Sequence, residues 1–336
     1  MRLPRLARLV LFIALAALLV LGARAIDWRA LARDFAAARP LYVAAMLAAW
    51  SAMLFLRPLR MLLLLRAVSR PAAGEYGAIW TAHVIGMAVN SIVPMRGGDL
   101  AMALLFRQRL GVSVPQALSV ILLDRVCDTA AVATVFLASL VDLPAAAPWS
   151  HGLALALSVG LVAGLAALAL MVRLRAPFLT WLARRLARFA RGPRWHAIVQ
   201  DLLSGLASFR TTWFTSVIIL ITAALWGSTV LSYWLGIRAV IGGIPFAAAG
   251  FAVGAVGLSF IVPLAPGGFG VFHAAVVFAL GAFGVPVEPA LAFAIIAHAL
   301  QLLSVLALAG ISSLVMGLDP RTLLRTGESR SQAPRA

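Results

Sequence analysis

The chain contains no lysine; all 28 of its basic residues are arginine. Its single cysteine, Cys127, excludes an intramolecular disulfide and any cysteine-based zinc site. Charge of either sign is scarce, at 12% of residues against about 25% in an ordinary soluble domain. Enzyme signatures are missing too. The five histidines read His83-Val, His151-Gly, His196-Ala, His273-Ala and His298-Ala, so none opens an H-E-x-x-H motif. Gly257-Leu-Ser259-Phe lacks the second glycine of a nucleophile elbow, and there is no P-loop. The expectation is a protein without catalytic residues, cofactor or metal.

What fills the chain instead is apolar: 63% of its 336 residues. A soluble core of that length cannot hide so much apolar surface and still leave a wettable exterior. A soluble enzyme, a disordered protein and a disulfide-rich secreted domain are thereby excluded. The composition points to an all-α polytopic integral membrane protein with about seven to nine hydrophobic helices. In such a chain the formal charge of +17 reads as topology and contact with anionic lipid headgroups, not as nucleic-acid binding.

Hydrophobic spans are read at Leu41–Leu65, Tyr76–Val93, Val114–Leu143, Gly152–Val172, Phe214–Leu235, Phe246–Val262, Phe269–Val285 and Pro289–Met316. The earlier run Leu9–Ala23 is either a first short span or a signal peptide cleaved near Ala23-Arg24-Ala25. The head, Arg57–Arg70, Arg173–Arg210 and the tail after Arg321 are basic, whereas the linker Asp142–His151 has no arginine. The positive-inside rule puts the basic stretches, both termini included, in the cytoplasm and the linker outside. Tyr76–Arg109 and Phe246–Val285 must then each enter and return, as re-entrant hairpins. Their tips, Pro94-Met-Arg-Gly-Gly-Asp99 and Pro263-Leu-Ala-Pro-Gly-Gly-Phe-Gly270, resemble each other. Similar hairpins of opposite orientation are the mark of inverted repeats with a site at the midplane; two ordinary tight turns are the plainer alternative. On this reading 1–320 is one membrane domain with pseudo-repeats at 41–143 and 214–316. The basic amphipathic cytoplasmic segment 173–210 joins them, and 321–336 is a flexible cytoplasmic tail.

Within that segment, Phe178, Leu179, Leu182, Leu186 and Phe189 fall on one side of a helix, with Arg184, Arg185, Arg188 and Arg191 on the other. That pattern suits a helix lying on the membrane surface or a topology-setting basic loop. Charges inside the apolar regions need a reason to be there. Asp99 is placed to cap a helix over Leu100–Arg109. Together with Arg96, Gly97 and Gly98 it forms either a cradle for a phosphate headgroup or an ion pair that shapes the turn. Asn90 is expected to cover a backbone group freed by Pro94. Asp124 and Asp128 share a helix face and repel unless a basic partner such as Arg96 or Arg125 holds both ionised. They form a candidate proton carrier or a structural network tied to the first hairpin. His273 and His298 either face one cavity or are hydrogen-bonded packing residues, the commoner role of a lone intramembrane histidine, and Arg57 and Arg60 are expected to snorkel from the cytoplasmic end of their span. Gly160 and Gly164 make a G-x-x-x-G pair of the kind that packs helices closely. Gly97-Gly98-Asp99 is similar to the G-x-G-D of intramembrane aspartyl proteases, but Arg96 stands where glycine is required.

Three runs in order carry a resemblance. Asn90-Ser-Ile-Val-Pro94-Met-Arg96-Gly-Gly98-Asp99 resembles the N…P-x-R-x-G-[DE] signature of the lysylphosphatidylglycerol synthase transmembrane (flippase-like) family. Asp124-Arg125-Val-Cys-Asp128 resembles its [DE]-R-x-x-D, and Pro266-Gly267-Gly268-Phe-Gly-Val271 its P-G-G-x-G-V element. Arg57-Pro-Leu-Arg60 fits the arginine-containing end of its second span. Two positions depart from the pattern: Met102 stands where the family often has a basic residue, and His273 where it often has a glutamate. The resemblance implies a bacterial inner-membrane protein that moves or presents a phospholipid or other amphiphilic lipid. Asn90, Pro94, Arg96, Gly97, Gly98, Asp99, Asp124, Arg125, Asp128, Pro266, Gly267, Gly268 and His273 would lie along the headgroup path. The tail after Met316 leaves no room for an aminoacyl-transferase domain, so a stand-alone member is expected, of the hopanoid-biosynthesis-associated kind among others. The alternative role is a non-transporting accessory or scaffold for a lipid-synthesis enzyme. Anionic lipids are the expected partners, with such an enzyme as a further one.

Overall fold

A computed structural model of the chain describes residues 27–69, 75–92, 97–143, 149–186, 192–204, 212–260 and 266–315; all regular structure among them is helical. The N-terminal run, the C-terminal tail, Pro94, Arg96, Arg188 and Arg191 lie outside the described residues.

Helix α1 (Trp28–Ala37) starts where the Asp27 carboxylate accepts from the Arg29 and Ala30 amides at 2.9 and 3.1 Å, an N-cap. Helix α2 (Pro40–Arg66) opens on a proline, whose missing N–H costs nothing in a first turn. Helices α3 (Glu75–Ile92) and α4 (Gly97–Leu110) follow and pack against each other. Helix α5 (Val114–Ser139) is capped by Ser113, whose Oγ accepts from the Gln116 amide at 3.3 Å. The same hydroxyl donates to Asp201 at 2.7 Å and so ties α5 to a later helix.

Helix α6 (Trp149–Leu186) runs unbroken through Pro177. The stretch from Phe178 is therefore no separate surface helix, as far as Leu186, but the continuation of α6; the apolar and small residues before it carry the helix across the expected boundary. Arg184 and Arg185 are exposed on it, and the Arg185 guanidinium sits 5.8 Å from the Trp181 ring. Gly160 and Gly164 face open space and pack no neighbour among the described residues. Helix α7 (Gly192–Ser204) carries Asp201 and precedes α8 (Thr212–Val240), α9 (Phe246–Ser259), α10 (Val271–Gly281) and α11 (Val287–Val315).

The element order long–short–short–long thus occurs twice: α2–α5 and α8–α11. The packing exchanges partners between the two sets. Long α2 lies along long α8. In the first set α3 packs on its hairpin mate α4 and on α11 of the second set; in the second, α9 packs on α10 and on α5 of the first. Two hydrophobic cores follow the same rule. One gathers α2–α5 and borrows Ile218, Leu225, Val305 and Ala309 from α8 and α11. The other gathers α8–α11 and borrows Met46 and Phe136 from α2 and α5. Glycine makes the α9–α5 crossing close: Gly250, Gly254 and Gly257 form a stripe whose added Cβ atoms would strike Ser139, Phe136 and Val132.

Helices α2, α8 and α11 are each long and apolar enough to cross a membrane. Large apolar side chains stand exposed on the outside, among them Leu220 (69%), Leu303 (61%) and Leu155 (67%). Such a surface needs lipid, not water, as its solvent. The chain is a multi-pass membrane protein.

Candidate functional site

Ionisable residues from α2, α4 and α5 converge, with Asn90 of α3 beside them. Arg57 and Arg60 do not snorkel. Arg60 is wholly buried and Arg57 nearly so, on the inner face of α2. Their spacing places both guanidinium groups opposite α5, where two carboxylates four residues apart wait for them. Arg60 donates from Nε to Asp124 Oδ1 at 2.8 Å, from Nη2 to Asp128 Oδ1 at 2.6 Å, and from Nη1 to Thr222 Oγ1 on α8 at 3.1 Å. Arg57 meets Asp128 Oδ2 at 2.5 Å; its 3.8 Å approach to Asp124 Oδ2 is too long for a hydrogen bond. Trp226 on α8 donates its indole N–H to Asp128 at 3.2 Å. Among the described residues the partners that keep Asp124 and Asp128 together are thus Arg57 and Arg60; Arg96, expected there, lies outside the described residues. Arg125 only approaches Asp128, at 3.9 Å.

Arg125 turns the other way, to the hairpin. Its Nη2 donates to Asp99 Oδ1 at 2.8 Å. Asp99 is not the cap of its helix: α4 begins at Gly97, and Asp99 is its third residue. The cap comes from Asn90, the chain's one asparagine. Its Oδ1 accepts from the Gly98 amide at 2.8 Å while its Nδ2 donates to Asp99 at 3.3 Å. Asn90 therefore covers the start of α4, and Pro94, on which the expectation for it turned, lies outside the described residues. Gly98 is spoken for as well. A Cβ there would overlap the Gly86 carbonyl oxygen and the Asn90 amide, so its lack of a side chain lets α3 and α4 touch backbone to backbone. That contact leaves Gly98 no open face for a ligand.

Among the described residues the convergence holds Arg57, Arg60 and Arg125 against Asp99, Asp124 and Asp128. Exposure separates its members: the Arg60 side chain is 0% exposed, that of Arg125 29% and that of Asp99 17%. The Arg60 centre is sealed; the Arg125–Asp99 pair is within reach of a ligand.

The second glycine run lies beside the end of the first hairpin. Gly267, Gly268 and Gly270 adopt φ of 61°, 73° and 80°, which a side chain resists. A Cβ on Gly267 would come within 3.0 Å of the Ser91 carbonyl oxygen on α3. His298 of α11 bonds to the Gly267 carbonyl at 2.9 Å. The His298 ring stacks on Phe272 at 4.7 Å and lies 5.1 Å from that of His273. His298 lines a cavity of about 250 Å³ together with Trp226, Tyr233, Phe260, Phe272 and Gln301. His273 sits beside the His298 ring.

Sequence reasoning missed Arg57, Arg60 and Trp226 as members of the polar centre. The i, i+3 arginines were visible, and their recurrence on one face was the available signal; nothing local marked Trp226. No curated protein and no solved structure matches the chain. The family of the lysylphosphatidylglycerol synthase TM region does match, over residues 5–309, and since that is most of the chain, the protein belongs to this family.

Proposed function

We propose that the chain moves a phosphate-bearing amphiphilic lipid across the bacterial inner membrane and performs no covalent chemistry of its own. In this reading α3–α4 and α9–α10 are re-entrant hairpins of an inverted repeat, and both termini are cytoplasmic. The observation that carries the proposal is the exchange of packing partners between the two sets of helices. Each hairpin leans on a long helix of its own set and on one of the other, so a rocking of one set against the other shifts both tips together. Helix length supports it. At about 1.5 Å per residue, α4, α9 and α10 span about 16–21 Å, short of a hydrocarbon core of about 30 Å.

The charges divide the work. The sealed Arg57–Arg60–Asp124–Asp128 centre holds α2 to α5. The reachable Arg125–Asp99 pair receives the headgroup: a lipid phosphate replaces the Asp99 carboxylate as acceptor of the planar guanidinium, and no bare charge is left in the apolar region. Arg96 and Pro94 belong to the same path in this proposal. Exposed Arg184 and Arg185, with Arg188 and Arg191, hold the cytoplasmic end against anionic headgroups.

The test is translocation by the purified chain in vesicles carrying a fluorescent phosphatidylglycerol whose outer-leaflet pool is bleached. Arg125→Lys keeps the charge but loses the fork, and should slow translocation while thermal stability holds. A wild-type chain that leaves the bleachable fraction unchanged would overturn the proposal. An accessory role for a lipid-synthesis enzyme would then be read in a deletion strain, as a lipid altered in amount but not in sidedness.

A further inference from the structure

The two halves match in register at one point. Asp99 is the third residue of α4 and Arg125 the twelfth of α5; His273 is the third residue of α10 and His298 the twelfth of α11. Both pairs are in contact, one as an ion pair at 2.8 Å and the other as two rings 5.1 Å apart. Where the first set of helices carries a permanent cation and its counter-ion, the second carries two imidazoles.

The tautomer of His298 follows from its partner. A carbonyl only accepts, so Nε2 carries the hydrogen that Gly267 receives. The lone pair is then on Nδ1, which is buried and has no hydrogen-bond partner among the described residues. A proton taken up at Nδ1 makes a donor with no acceptor, beside a cavity of about 250 Å³. Among the described residues no fixed charge neutralises it. Helix α9 has no ionisable side chain, and α11 has only Glu288, near its first residue. From α8, Tyr233 lines the same cavity as Gln301, and Arg238 lies over Trp234 at the far end of its helix. From α3, Glu75 pairs with Arg66, Tyr76 bonds to Phe55, and His83 faces the Arg57 and Arg125 charges. From α2, Arg57 and Arg60 are committed to Asp124 and Asp128. On α1, which packs on α11, Arg29 and Arg33 are exposed and Asp34 is half-buried.

We infer that His273 and His298 form a second anion site, the counterpart of Arg125 and Asp99, which takes a phosphate group together with a proton. The inference rests on the translocation reading and assigns that path a proton-dependent station. The proton comes from water and binds Nδ1. The phosphodiester stays an anion and accepts from the new N–H, so proton and anion enter an apolar region as a neutral pair.

The full chain in phosphatidylcholine nanodiscs tests this, with dihexanoyl phosphatidylglycerol and, separately, inorganic phosphate as probes. Calorimetric titration is done at about pH 5.5 and about pH 8, either side of the ordinary imidazole value. Wild type should bind the lipid about tenfold tighter at the lower pH, the scale of one linked proton. His298→Gln keeps a donor for the Gly267 carbonyl but has no titratable nitrogen; in it and in His273→Gln the ratio of binding at the two pH values should fall to about one. Thermal unfolding of both variants checks that they are folded. Equal binding at the two pH values, or a gain that survives both substitutions, overturns the histidine site and leaves the translocation reading standing. No binding at either pH, with no translocation, overturns both. A gain seen with inorganic phosphate and not with the lipid overturns a headgroup in favour of free phosphate.

Discussion

Arg60, with none of its side chain exposed, donates to Asp124 at 2.8 Å from a helix 64 residues away in sequence. A buried pair of this kind is costly to break, because the partner left behind is a bare charge in an apolar surrounding. Arg60→Met should therefore destabilise the chain by about 3–5 kcal/mol. Adding Asp124→Leu should restore much of that loss. Thermal unfolding of the single and double variants in one detergent checks both; a double variant no more stable than the single one would show that Asp124 is not the stranded charge.

The Asp99–Arg125 pair is predicted to be energetically coupled. A double-mutant cycle with Asp99→Ala and Arg125→Ala should give a coupling of about 0.5–3 kcal/mol. Purely additive losses would mean that the 2.8 Å contact contributes nothing.

Gly98→Ala should part α3 from α4, since its Cβ meets the Gly86 carbonyl and the Asn90 amide. Overpacking of this sort costs about 1–3 kcal/mol. Gly86→Ala should be milder, because its Cβ would sit 3.0 Å from the Gly98 carbonyl oxygen. Gly160→Ala and Gly164→Ala, both facing open space, should be neutral or slightly stabilising by helix propensity. The measurement is the melting temperature across the four, and a Gly98→Ala no worse than Gly160→Ala contradicts the crossing.

Asn90→Ala removes the acceptor of the Gly98 amide and one donor to Asp99. Loss of a helix cap costs about 0.5–2 kcal/mol, and the effect should be local. Hydrogen exchange should quicken at the first turn of α4 and stay unchanged in α10; an unaltered α4 would deny Asn90 its capping role.

The arginine-free linker Asp142–His151 should be extracytoplasmic and 173–210 cytoplasmic. Reporter fusions at the two places should score on opposite sides. The same side for both would remove the topological ground for re-entrant hairpins.

Much of the architecture was legible in the residues. Composition alone required a helical membrane protein, because no aqueous fold hides 63% apolar residues. The bounds of α2, α3 and α8 differ from the hydrophobic runs by a few residues, since an apolar run is itself the condition for a spanning helix. The end of α6 was misplaced, because a change from apolar to basic residues alters the surroundings of a helix without breaking its hydrogen bonds.

The site was legible as an inventory and not as a wiring diagram. Asp99, Asp124, Arg125 and Asp128 declared themselves because ionisable groups in apolar segments need partners. Which partner each takes depended on distances between helices far apart in the chain. Arg57 and Arg60 look the same in sequence whether they reach for water or turn inward, and only the position of α5 against α2 decides. Gly98 likewise reads as a ligand cradle until the Gly86 carbonyl is found in its place. The sequence by itself determined the membrane class, the helices and the identity of the buried charges, because these follow from transfer free energies that each segment carries locally. The tertiary structure decided the pairing of charges, the sealing of Arg60 and the alignment of Asp99–Arg125 with His273–His298, because those are set by how two sets of helices share one interior.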